Sequence, residues 1–80
     1  MASFTRGRCL LTPLLKQKGW TQAELARRTR YSARMISHFA QFDGRGNGKP
    51  MSPEAMYSVS RALGVPMEAL YEWIEIGIAE

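Results

Sequence analysis

Arg34, Ser37 and His38 recur on one side of the stretch Thr21 to Phe39, with Ala33 beside them and Ser32 at the start. These side chains suit the base edges of a DNA major groove. Arginine can donate two parallel hydrogen bonds to guanine, serine and histidine can donate or accept, and alanine fits a thymine methyl. At about 3.6 residues per turn, Ile36 and Phe39 fall on the opposite side. The segment reads as a small amphipathic helix whose polar side lacks the Glu/Lys pairs of a solvated helix. An ordinary solvated face is the alternative, since exposed helix faces are generally polar.

Such a helix needs others to hold it. Thr21-Gln22-Ala23-Glu24 matches a capping box, in which the Thr hydroxyl and the Glu carboxylate satisfy free backbone amides reciprocally. A helix therefore starts there, with Leu25 inward and the small Ala26 allowing a close crossing. Thr29-Arg30-Tyr31 is a turn, and Ser32 caps a helix running to about Gln41. Before this pair, Leu10, Leu11, Leu14 and Leu15 form an apolar stripe at helical spacing. That helix starts either with Thr12 as cap and Pro13 at its first position, or earlier with a bend at Pro13. Gly19 closes it, and Trp20 anchors the chain beyond.

Residues 42–51, FDGRGNGKPM, form a loop, and three glycines in five residues leave it flexible. Ser52-Pro53-Glu54 restarts helix with a cap, a proline and an early acid. Ala55, Met56, Val59, Ala62 and Leu63 give its core stripe, and the methionines in general read as packing. After Gly64 and the joint Val65-Pro66, Met67 to about Ile76 reads as a final helix on the spacing of Leu70, Trp73 and Ile74. Ile74, Ile76 and Ile78 also alternate as in a strand, so the segment 75–80 is a tail that covers the core or joins two copies.

Eighty residues make one small domain, and 45% hydrophobic content is that of a globular chain. The charge is divided along the chain. Residues 1–50 hold ten lysines and arginines against Glu24 and Asp43, a balance of +8. Residues 51–80 hold Arg61 against five glutamates, a balance of −4, and together they give the net +4. A basic half and an acidic half suggest one polyanion-binding face and one solvated face.

The ordered set Thr21-Gln22-x-x-Leu25-Ala26, Tyr31-Ser32-x-x-x-Ile36-Ser37-x-Phe39, then Ser52-Pro53-Glu54 and Ala62-Leu63-Gly64-Val65, resembles the phage repressor and Cro-like helix-turn-helix family. The likeness covers roughly residues 11–73. It implies an all-α, lambda-repressor-like bundle of five helices, with the helix from Ser32 as the recognition helix and operator binding as a dimer. It also implies backbone contacts. Thr21 and Gln22, at the start of the preceding helix, would hold phosphate, and a glutamine there also braces the recognition helix. Arg45 and Lys49 would touch phosphate from the loop, as would Arg6 and Arg8 from a basic, flexible N-terminal arm over residues 1–9. Family turns carry glycine where this chain has Arg30. That position often needs a left-handed backbone, at roughly 1 kcal/mol for any other residue. The loop is also longer than in the family.

Catalysis finds no support. His38 is the sole histidine and Cys9 the sole cysteine, so no His-based metal site and no internal disulfide can assemble. Asp43 with Asn47 is too few ligands for calcium. Gly44 to Lys49 lacks the spacing and the Ser/Thr of a phosphate-binding loop. No enzyme, cofactor or metal is expected. No apolar run reaches the roughly 18 residues of a membrane span, the N-terminal patch is too short for a signal peptide, and a lone cysteine fits the reducing cytoplasm. The expectation is a cytoplasmic, sequence-specific double-stranded DNA-binding regulator, most simply a phage or bacterial repressor. Its base-reading residues would be Ser32, Ala33, Arg34, Ser37 and His38. A homodimer and a regulatory protein partner stay open. The rival readings are an antitoxin-type regulator and a protein-interaction module that binds another regulator.

Overall fold

The computed structural model describes residues 2–77. Strand β1 (Ser3–Cys9) comes first, followed by helices α1 (Leu11–Lys18), α2 (Gln22–Thr29), α3 (Ala33–Ala40) and α4 (Pro53–Leu63). A 3-10 turn at Met67–Leu70 then leads into strand β2 (Tyr71–Ile76). The expected all-α five-helix bundle is therefore corrected. The described residues form four α-helices, with an antiparallel ribbon of β1 and β2 in place of a fifth.

Local sequence explains the helices. Leu10 precedes α1 without a side-chain cap, so the helix starts ahead of Thr12, and Pro13 sits at its third position. A proline is tolerated there because the first amides of a helix have no intrahelical partner. Gly19 closes α1 at φ 73°, with its own N–H donating to Lys16 O and the Trp20 N–H donating to Leu15 O. Thr21, Ser32 and Ser52 cap α2, α3 and α4, each side-chain oxygen accepting from the backbone N–H three residues on. Only half of the expected capping box forms, because the Glu24 carboxylate accepts from Arg27 and Arg28 instead.

The ribbon corrects both ends of the sequence reading. Residues 3–9 are a strand and not a flexible arm, and Tyr71 to Ile76 are a strand and not the last turns of a helix. Thr5 pairs with Ile74, Arg6 with Trp73 and Cys9 with Tyr71, with an irregularity between Arg6 and Cys9. Aromatic and β-branched residues favour a pleated pair, and β2 has four of them in six residues, Tyr71, Trp73, Ile74 and Ile76. Gly7 lets the strands close, since a Cβ there would lie 3.0 Å from Glu72 O. Of the expected 75–80 tail, Glu75 and Ile76 belong to β2, whereas Ile78, Ala79 and Glu80 lie outside the described residues.

The core joins every element. Leu11 and Leu15 of α1, Leu25 of α2, Ile36 and Phe39 of α3, and Ala55, Val59 and Leu63 of α4 are buried around Met51, Leu70 and Tyr71. Cys9 is buried with them, and burial pushes its thiol above the usual range, as fits a small apolar packing residue. Among the described residues, no helix is long and apolar enough to cross a membrane.

Candidate nucleic-acid interface

Helices α2 and α3 are joined by Arg30, Tyr31 and Ser32. Arg30 has φ 67° and is the one described non-glycine residue with a positive φ. Its N–H still donates to Ala26 O at 2.9 Å, so the left-handed residue closes α2 as a glycine would. The turn is fixed from both sides. The Tyr31 ring meets the Phe39 ring edge-on at 5.8 Å, and Ser32 Oγ accepts from Met35 N at 3.1 Å.

With Ile36 and Phe39 buried, α3 turns Ser32, Ala33, Arg34, Met35 and His38 to solvent. Ser37 is half-buried, and its hydroxyl accepts from the Gln41 side chain at 3.4 Å. The residues expected to read bases thus share one surface, with Ser37 set deeper than the rest. Arg34 forms no ion pair among the described residues. Met35 departs from the expectation that the methionines serve packing. Met51 fits that reading at 1% exposed, but Met35 is 43% exposed. Four residues before Phe39, Met35 lies at the border between the buried and the outward side, where spacing alone does not decide.

At the start of α2, Thr21 is exposed and Gln22 half-buried. Trp20 lies just before them under two cations, with the Arg28 guanidinium 4.2 Å and the Lys18 ammonium 5.0 Å from its ring centre. Glu24 accepts from Arg27 and Arg28 at 2.6 Å each. The Arg27 bond first, then that of Arg28, holds its carboxyl below the ordinary carboxylate value. Lys18, Arg27 and Arg28 were not among the expected contacts. Their sign was plain in the sequence, but the stacking on Trp20 was not.

The loop after α3 is pinned rather than loose. At its near end Phe42 O accepts from Cys9 N at 2.9 Å, and toward its far end Lys49 N donates back to His38 O at 3.0 Å. At its far end Met51 is gripped twice. The Tyr71 hydroxyl accepts from Met51 N at 2.9 Å, and Arg6 donates to Met51 O at 2.7 Å while lying 5.3 Å over the Tyr71 ring. In the middle, Asp43 accepts from Arg45 N, Asn47 N and Asn47 Nδ2, which holds its carboxyl below its ordinary value, Asn47 having the largest effect. Gly48 has φ 67°, and a Cβ there would collide with His38 O and Phe42 N. The loop can therefore sit against the end of α3 only with glycine at that point.

These contacts redistribute the expected backbone cations. Arg45 and Lys49 are exposed and make no ion pair among the described residues. Arg6 is half-buried and committed to Met51 O, and Arg8 is exposed but paired with Glu72 at 3.1 Å. Both stand on β1, so neither reaches out from a flexible arm. No family model, no curated protein and no solved structure matches the chain.

Proposed function

We propose that the protein binds double-stranded DNA sequence-specifically and acts in the cytoplasm as a transcriptional regulator, most simply a repressor, with α3 in the major groove. The observation that carries this is the outward face of α3. Apart from Met35, its exposed side chains are hydrogen-bonding or small, Arg34 is free of ion pairs among the described residues, and the helix is held by a capped, ring-packed turn. An α-helix is about 10–12 Å across with its side chains, which a major groove about 12 Å wide admits.

In this reading Arg34 contacts guanine, with His38, Ser32, Ala33 and Ser37 beside it, while Thr21, Gln22, Arg45 and Lys49 hold phosphates. Arg6 acts through the loop end that it grips, not on DNA. Selection of bound sites from a random duplex pool tests the proposal, and a palindromic consensus would support two copies per site. Arg34→Ala should then cost about 1–3 kcal/mol on the selected site and relax one base pair. Unchanged specific binding of that variant in a gel-shift titration would rule out the recognition assignment.

One observation favours a second reading, a protein-interaction module. Ile74 and Ile76 on one face of the ribbon are 54% and 48% exposed, and Phe4 on the other is 60% exposed, so either face offers a partner apolar side chains. Tight binding to a protein, with no salt-dependent affinity for DNA, would support that reading over the first.

A further inference from the structure

We infer that the interface reads the C5-methyl group of a pyrimidine, with Met35 as the residue that contacts it. This rests on the DNA-binding reading above and adds a chemical target for one residue. The core does not use Met35 as it uses other methionines. Met51 is 1% exposed and Met56 packs partly buried against the core, but Met35 stands 43% exposed in the first turn of α3.

Its neighbours fix what it can reach. Residues three and four apart are surface neighbours on a helix, so Met35 adjoins His38, and Arg34 adjoins the same histidine. Arg34, Met35 and His38 are therefore one patch, all exposed. Successive residues turn by about 100°, which puts Met35 on one flank of Arg34 and Ala33 on the other. A side chain that donates to guanine is thus bracketed by a long apolar group and a short one.

The chemistry of the groove then narrows the target. Base edges there are donors and acceptors, except for the methyl carried at C5 of thymine. 5-Methylcytosine offers the same group. A thioether has neither charge nor strong hydrogen-bonding capacity, and its flexible, polarizable chain adapts to an apolar knob. The shared ligand chemistry is a C5-methyl beside the base pair that Arg34 contacts.

The test uses the full chain and the site recovered from the random pool, with each thymine replaced in turn by uracil and each cytosine by 5-methylcytosine. Removing one methyl contact should weaken wild-type binding about fourfold at a single thymine, a fold-change set by the burial of one carbon. If the natural group is 5-methylcytosine, binding should instead tighten by a similar factor at one methylated cytosine. Met35→Ala should abolish that dependence, and Met35→Leu should keep most of it. Unfolding curves of both variants should overlay the wild type, because the residue lies outside the core.

A methyl effect that persists undiminished in Met35→Ala would assign it to Ala33 and overturn the inference. Indifference of the wild type to every substitution would overturn it too, while sequence-selective binding to the recovered site would leave the DNA reading intact. Failure to recover any preferred site would sink both together.

Discussion

Replacing Arg30 with glycine should stabilise the protein. Arg30 sits at φ 67° and ψ 9°, where its Cβ crowds the backbone. A left-handed conformation costs a residue with a side chain roughly 1–2 kcal/mol. Glycine relieves that but gives the unfolded chain more freedom, worth about 0.4–1 kcal/mol in the opposite direction. Little else changes. The Arg30 side chain is exposed, makes no ion pair among the described residues, and the closing bond from its N–H to Ala26 O survives in glycine. The net gain is about 0.5–1 kcal/mol, or roughly 2–8 °C in melting temperature for a domain of this size. Thermal unfolding followed by circular dichroism, with urea titration alongside, reads it directly. Arg30→Ala is the control, since it removes the guanidinium but keeps a Cβ, and it should not raise the melting temperature. A lower melting temperature for Arg30→Gly would refute the reasoning, because the side chain would then stabilise the turn more than its backbone strains it. The same variant tests why arginine stands there. If Arg30 neutralises a phosphate, the slope of log affinity against log salt should fall by about 0.9 in Arg30→Gly.

The clasp on Met51 and the two depressed carboxyls give further tests. Tyr71→Phe removes the hydroxyl bonded to the buried Met51 N–H and should cost about 1–3 kcal/mol by urea unfolding; a cost below about 0.5 kcal/mol would mean that the amide finds another partner. Glu24 and Asp43 titrate below their ordinary values of 4.5 and 3.8 in the folded chain, Glu24 chiefly through Arg27 and Asp43 chiefly through Asn47. Their contribution is therefore present above the unfolded values and lost as pH falls through the lower folded ones. The stability difference between wild type and Glu24→Gln should shrink as pH drops from about 7 to about 3, and a difference that stays constant over that range would count against the Arg27 and Arg28 bonds.

What the sequence revealed and what it hid divide by the range of the interactions. Thr21, Ser32 and Ser52 announce helix starts because a cap acts within three residues, and Gly19 and Gly64 announce ends for the same reason. The strain at Arg30 was legible as a departure from a pattern that has glycine there. Strand β1 was not legible, since its two arginines and a glycine carry little strand signal and its partner lies more than sixty residues away. The spacing of Leu70, Trp73 and Ile74 fits a helix, and only pairing with β1 decides for a strand. Of the residues expected on the outward side of α3, Ser32, Ala33, Arg34 and His38 are exposed and Ser37 is half-buried, while the exposure of Met35, at the border of the two sides, was not legible from spacing. For the loop, glycine content suggested slack, but Gly48 serves close approach to His38 O.

The grip on Met51 also sets an order of events during synthesis. Arg6 is made before the helices and Tyr71 after them, yet both hold the backbone of Met51 at the far end of the loop. While the ribosome has reached only Leu63, all four helices exist as sequence, but the Met51 N–H has no hydroxyl to meet and β1 has no strand to pair with. Contacts this distant along the chain close slowly, after local helices have formed. The loop that carries Arg45 and Lys49 is thus closed by residues from both strands, with the Arg6 backbone beside Gly44 and the Tyr71 ring edge-on to Phe42.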